Sequence, residues 1–390
     1  MDDAHLFSKR DYPELRDAVR RLCADFPATY WRTLDEERGY PTDFVGALSQ
    51  AGFLAALIPQ AYGGSGLPLR AAAVILEEIN ASGCVASPAH AQMYIMGTLL
   101  RHGSEAQKQR FLPGIASGDV RLQAFGVTEP DAGSDTTMLR TRAVRSGDNY
   151  IVNGQKLWTS RAMHSDLMLL LVRTTPIEHC ARKTDGLSTL LIDLRTAKGA
   201  GLEIRPIRTL LNHHTTEIFI RDLEVPVDNL VGQEGEGFRY ILDGMNAERI
   251  LVAQECIGDG HWLVAKAAAY ASERKVFGRP IGQNQGVQFP IARAYMELEA
   301  ADLMARKAAH LFDHALPCAA EANMAKLLAS EATWKGAEAA MQTYGGFGFA
   351  QEYDIERKWR EARIYQTAPI STNLILSYLG QHVLGMPRSF

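Results

Sequence analysis

The spacing of apolar residues changes period twice along the chain. Up to about Gly118 it is helical: Tyr12–Asp25 carries apolar side chains at Leu15, Val19 and Leu22, and Leu69–Ile79 is a second apolar-rich segment of helix length. The stretch Ala61–Gly66 between them lacks the Lys-Ser/Thr of a phosphate-binding loop and predicts an ordinary turn. From about Asp119 to Gly232 the pattern shortens to that of strands. Tyr150–Val152 and Gln155–Ser160 flank Asn153-Gly154, a pair that predicts a two-residue hairpin turn. Leu167–Arg173, Leu187–Leu194, Leu202–Ile207 and Glu217–Val225 predict further strands. From about Glu236 the helical period returns. Leu298, Ala301, Met304, Ala308 and Leu311 form the stripe of a bundled helix, and a helix over Glu321–Tyr344 is predicted to stop at Gly345-Gly346.

This order predicts an α+β fold: an N-terminal helical domain over 1–118, a central β-sheet or barrel domain over 119–234, and a C-terminal four-helix bundle over 235–390. Strands and helices do not alternate, and no Gly-x-Gly-x-x-Gly follows a strand, which argues against a nicotinamide-binding domain. The net charge of -4 and pI near 6.3 give no electrostatic case for nucleic acid. Apolar runs such as Leu167–Val172 fall far short of a membrane span. The start, Met1-Asp2-Asp3-Ala4-His5, has neither a signal-peptide core nor a transit pattern, so a cytoplasmic location is expected. The cysteines at 23, 84, 180, 256 and 318 are odd in number and never in CxxC spacing, which predicts free thiols in a reducing compartment.

Chemistry concentrates in two places. Residues 125–135 read Phe-Gly-Val-Thr-Glu-Pro-Asp-Ala-Gly-Ser-Asp, and Trp158-Thr159-Ser160 follows. Backbone groups, two hydroxyls, a glycine that permits close approach and an indole are what a flavin needs: hydrogen-bond partners and a wall against its face. His213-His214 predicts no metal site, because adjacent side chains on an extended segment diverge and no third ligand has fitting spacing.

The Thr128–Asp135 octet resembles the signature of the acyl-CoA dehydrogenase family, and the resemblance extends over nearly the whole chain. It implies FAD as cofactor, with Phe125, Val127, Thr128, Gly133, Ser134, Trp158 and Ser160 at the flavin or its ribityl chain, and Ser134 also near the CoA arm. A second similar block, Glu273–Pro280 with Gln285, implies that Arg274, Phe277 and Gln285 reach the FAD of a neighbouring subunit. A third, Gln342–Gly346 with Ser371 and Asn373, implies contacts from Gln342, Gly345, Gly346, Ser371 and Asn373 at the adenosine end. The family forms tetramers, so a homotetramer, or a dimer, is expected.

The resemblance also implies the reaction: α,β-dehydrogenation of an acyl-CoA thioester to a trans-2-enoyl-CoA, with electrons passed to an electron-transferring flavoprotein. Many relatives carry the base as glutamate in a C-terminal segment, where this chain reads Thr367-Ala368-Pro369-Ile370. Pro369 occupies the glutamate's place and has no N–H to offer the thioester carbonyl. A second branch, which includes isovaleryl-CoA dehydrogenase, carries the base on an early helix of the C-terminal domain. There Met245–Ile250 places Glu248 as the base, with Asn246 and Arg249 near the CoA arm or buttressing it. From the residues alone Glu248 also reads as a first-turn helix acid favoured by the dipole. Ala368-Pro369 in place of a bulky pair predicts room for a branched or cyclic acyl group. Two other readings stay open: an oxygen-using acyl-CoA oxidase or monooxygenase on the same fold, and a flavin- or acyl-CoA-binding protein without turnover.

Overall fold

Seven consecutive apolar or long side chains form the strand at the centre of the fold, and each face of it is covered by a different layer. The computed structural model describes residues 11–388, so the Met1–His5 stretch lies outside the described residues. Helices α1 (Pro13–Ala24), α2 (Ala28–Glu37), α3 (Thr42–Gln50), α4 (Leu69–Ala81), α5 (Ser87–His102) and α6 (Glu105–Ser117) precede the sheet. Its strands are β1 (Leu122–Gly126), β2 (Arg142–Ser146), β3 (Asn149–Ser160), β4 (Leu167–Arg173), β5 (Leu187–Asp193), β6 (Leu202–Pro206), β7 (Thr215–Pro226) and β8 (Leu230–Val231), with the short helix α7 (Leu194–Ala197) after β5. Helices α8 (Gly237–Glu273), α9 (Gln285–Asp313), α10 (Ala319–Tyr344), α11 (Ile355–Ile364) and α12 (Thr372–Tyr378) complete the chain. A small ribbon, β9 (Lys275–Val276) and β10 (Arg279–Pro280), separates α8 from α9. Helical N-terminus, central sheet and helical C-terminus thus follow the predicted order.

The chain forms two compact units. One takes Tyr40–Leu67 and Ala91–Met245; the other takes the described residues up to Gly39, Pro68–His90 and those from Asn246 onward. In the first, the sheet runs β6-β7-β3-β2-β4-β5-β8, with β1 parallel to β4. Period-two alternation on β4 sends Leu167 and Leu169 toward Ile95, Leu99, Phe111 and Ile115 of α5 and α6. Met168, Leu170 and Val172 join Tyr150, Val152, Ile192, Ile218 and Ile220 on the opposite face. Burial on both faces is why this strand reads as a continuous apolar run.

The hairpin predicted at Asn153-Gly154 is not there. β3 runs unbroken through it, and the turn falls at Gly147-Asp148, where Ser146 pairs with Asn149. Asn153-Gly154 instead marks a register shift of β3 against β7. A Cβ at Gly154 would lie 2.4 Å from the Thr141 hydroxyl oxygen and 2.6 Å from its Cα, so glycine is required there by close approach.

In the second unit the stripe on α9 packs as predicted, with Leu298, Ala301 and Ala308 fully buried. Small residues bring the helices close. A Cβ on Gly258 of α8 would sit 2.3 Å from the Glu77 carbonyl of α4. The helix α10 ends at Tyr344, with Gly345 at a positive φ of 58°, as predicted.

Candidate functional site

In the sheet-bearing unit, the octet leaves the end of β1 and folds back on itself. Glu129 and Ala132 exchange backbone hydrogen bonds of 3.2 and 3.1 Å around Pro130-Asp131. The Glu129 carboxylate then pins the loop, accepting the N–H groups of Arg140 at 2.6 Å and Thr141 at 2.9 Å. It also pairs at 2.9 Å with the wholly buried Lys156 ammonium, which donates to the Val127 carbonyl at 3.0 Å. Burial pushes the Lys156 ammonium down to about 8 despite this partner. Burial acts upward on Glu129, yet Lys156 and the backbone donors hold its carboxyl below the usual range.

This clamp brings the first predicted group together. The Leu157 N–H donates to the Thr128 carbonyl at 2.8 Å, so the octet lies beside the start of Trp158-Thr159-Ser160. A second register shift between Lys156 and Thr159 marks a bulge, and Trp158 sits in it at φ 60°. Bulges re-aim side chains, and here the indole is 55% exposed, at the cost of a left-handed backbone. Phe125 and Thr128 are partly buried, Ser134 is exposed, and a Cβ on Gly133 would meet only the Thr128 methyl at 3.9 Å. An exposed flat ring on a strand tied to the octet, with open space at Gly133, fits an isoalloxazine. His214 of this unit stacks edge-on against Tyr40 and His164, while His213 faces Arg161 at 3.5 Å.

In the other unit, Glu248 lies about three turns into α8. That excludes the first-turn reading, since the dipole acts only within the terminal turn. It is 7% exposed, and burial pushes its carboxyl up to about 7, against the opposing pull of His90, Arg249 and Lys326. Arg249 donates to the Asn246 side chain at 3.0 Å, and among the described residues its buried Nε meets no acceptor. At the C-terminal segment, the N–H groups of Thr367 and Ala368 both close on the Ile364 carbonyl at 2.9 Å. The following bond, Ala368–Pro369, is cis, and the Ile370 carbonyl accepts from Lys326 at 2.8 Å. Residues 362–390 contain no Asp or Glu.

The remaining predicted residues occupy separate features of the same unit. Phe277-Gly278 is the tip of the β9–β10 ribbon, both residues at positive φ, with the Phe277 ring fully exposed. The Arg274 guanidinium lies 5.7 Å from the Phe347 ring centre. Gln285 opens α9, and Gln342 lines a groove of about 670 Å³ with Gly286, Val287, Arg293 and Trp334. Gly345 and Gly346 are exposed just beyond it. Ser371 caps α12, accepting the Leu374 N–H at 3.4 Å, and Asn373 is exposed in the first turn.

Sequence reading missed the Glu129–Lys156 clamp and the polar neighbours of Glu248, namely His90, Glu255 and Lys326. Only Glu255 had a sequence signal, lying seven residues from Glu248 and so on the same helix stripe.

Family models described as "Acyl-CoA dehydrogenase" match three segments: the N-terminal domain over residues 9–119, the middle domain over 124–223 and the C-terminal domain over 235–374. The chain is 34% identical over its whole length, and over all of the relative, to acyl-CoA dehydrogenase fadE12 of Mycobacterium bovis. A solved glutaryl-coenzyme A dehydrogenase glutaryl-CoA complex superposes with TM-score 0.90 at 31% identity, covering 98% of this chain and 97% of that one. PigA with FAD and proline superposes with TM-score 0.90 at 25% identity, covering 97% and 99%.

Proposed function

Since the chain belongs to the acyl-CoA dehydrogenase family, we propose that it binds FAD and that Glu248 is the base that removes the α-proton of an acyl-CoA thioester. The observation that carries this reading is the Glu248 carboxyl itself. It is buried, its proton affinity is raised to about 7, and residues 362–390 contain no Asp or Glu to take its role. A base matched to ambient pH transfers a carbon-bound proton most effectively. When bound, FAD supplies the hydride acceptor for Cβ, so that a trans-2-enoyl-CoA results.

The chain's own residues provide the rest. Trp158 offers the wall for the flavin face, and Phe125, Val127, Thr128, Gly133, Ser134 and Ser160 its polar and apolar edge. The Glu129–Lys156 clamp holds that loop in place. Arg274, Phe277, Gln285, Gln342, Gly345, Gly346, Ser371 and Asn373 serve the adenosine end of a neighbouring subunit's FAD, in a homotetramer or dimer. The full exposure of Phe277 supports a covering partner. Asn246 orients Arg249, whose unsatisfied Nε suits an anionic or carbonyl group of the CoA ester. Electrons then pass to an electron-transferring flavoprotein.

Anaerobic titration of the FAD-loaded protein with butyryl-, octanoyl-, isovaleryl- and cyclohexanecarbonyl-CoA tests the reading. Bleaching of the flavin absorbance is expected with at least one thioester, strongest for the branched or cyclic acyl groups. Glu248→Gln should retain FAD and lose bleaching; retained bleaching refutes the assignment. A second reading, an oxygen-using acyl-CoA oxidase, is favoured by Pro369, which offers no N–H where relatives donate to the thioester. Stoichiometric peroxide release under air would establish it.

A further inference from the structure

Glu248 does not stand alone on its helix. Seven residues on α8 make two turns and a rise of about 10 Å, so Glu255 lies on the same stripe as Glu248. His90, in the first turn of α5, brings its Nδ1 to 3.3 Å from the Glu255 carboxylate. Glu255 is 1% exposed, and its other oxygen meets no partner among the described residues.

The backbone around this pair is fixed by one side chain. Asn80 donates to the Glu255 carbonyl at 3.0 Å and to the Tyr365 hydroxyl at 3.2 Å, while its own oxygen accepts the Ala86 N–H at 2.9 Å, just before α5. A carboxylate this buried and half satisfied is a poor scaffold, because an incompletely bonded charge carries a desolvation cost that an apolar residue would not. Its place on the same stripe as the base points to a role in the base's own chemistry.

We propose that His90 and Glu255 are a positioning pair that sets the pH at which Glu248 works: His90 favours the Glu248 carboxylate, and Glu255 anchors the imidazole while opposing that effect. The inference rests on Glu248 being the base. The signs follow from charge: of the groups acting on Glu248, His90 pulls its proton affinity down most and Glu255 pushes it up. Among the described residues, the other charged or titratable groups around this cluster are Arg249, Cys256 and Asp259 on α8, Lys326 on α10 and Tyr365 beyond α11. Lys326 is committed to the Ile370 carbonyl and Tyr365 to Asp259, at 2.8 and 3.0 Å.

The test is the pH profile of anaerobic flavin reduction by whichever thioester of the panel bleaches the wild-type FAD-loaded protein. His90→Gln should move the midpoint up, which slows reduction below it and leaves the rate well above it unchanged. Glu255→Gln should move the midpoint down, and the double variant should return near the wild-type value. A structural role would lower the rate equally at every pH. Midpoints that stay put, or move in the same direction, overturn the proposal. If one variant fails to fold, the direction of the other's shift decides alone. Should Glu248→Gln still bleach, the base assignment falls. If it is inactive and the paired variants lack opposite shifts, only this inference falls.

Discussion

Glu129→Gln removes the charge that holds the octet loop and leaves Lys156 without an anionic partner. Lys156 has a way out, which sets the size of the effect: it can lose its proton. Its affinity already lies at about 8, so neutralising it at pH 7 adds about 1.4 kcal/mol, and each further unit of acid adds about 1.4 more. Above pH 8 this contribution vanishes. The sign is consistent: a lysine whose folded affinity is depressed weighs fully against the fold below about 8, and that burden lifts as pH rises from there toward 10.5, its ordinary value. A pH-independent loss of about 1–2 kcal/mol adds to it, because the N–H groups of Arg140 and Thr141 exchange a charged acceptor for a neutral one. Lys156→Met should behave differently. It leaves Glu129 with both backbone donors and removes the titrating group, so its deficit should be flat with pH. For 390 residues the unfolding entropy is about 0.8 kcal/mol/K, so Glu129→Gln should lose about 2 °C of apparent Tm per unit below pH 8, relative to wild type. Calorimetry near pH 6, 7 and 8.5 at equal protein and FAD concentration measures this. A Glu129→Gln deficit that does not vary with pH, or a Lys156→Met deficit with the same slope, refutes the reasoning.

Burying Glu248 should also cost the fold. Its carboxyl is raised to about 7, so the stability this contributes is fully present at low pH and is lost as pH rises through 7; Glu248→Gln should therefore gain Tm relative to wild type near pH 8.5 and little near pH 5. In the wild type, the rate of flavin reduction should fall below about pH 7, where the base is protonated. Gly154→Ala drives a Cβ into Thr141 and should destabilise by about 1–3 kcal/mol in denaturant titration, whereas Gly147→Ala, with open space around it, should cost less. Trp158→Gly relieves a left-handed backbone worth about 1–2 kcal/mol, so apo stability should hold or rise while FAD affinity, measured by ultrafiltration, drops.

Strand β4 was legible to the residue because burial on both faces writes an unbroken apolar run. The hairpin was misplaced for a definite reason: Asn-Gly and Gly-Asp both signal turns, and only tertiary close approach of Thr141 decides that Gly154 is a bulge and Gly147 the turn. Glu248 is singled out by the resemblance, and its depth in α8 removes the dipole explanation. His90 lies far from it in sequence, and no local pattern links the two. Lys156 was hidden more completely still. A lysine on a strand reads as a solvent-facing residue, and only the fold reveals that its ammonium is the clamp's inner jaw.

The chain carries five tryptophans, and of these Trp158 alone is exposed; Trp31 is buried and Trp262, Trp334 and Trp359 are partly so. The side chain assigned to the flavin wall is therefore also a built-in optical reporter. In the apoprotein, an aqueous quencher such as iodide should extinguish the red edge of the emission selectively, and Trp158→Phe should abolish that fraction. Added FAD should shield the same fraction, so cofactor capture can be followed from the protein's own light, without any acyl substrate or turnover.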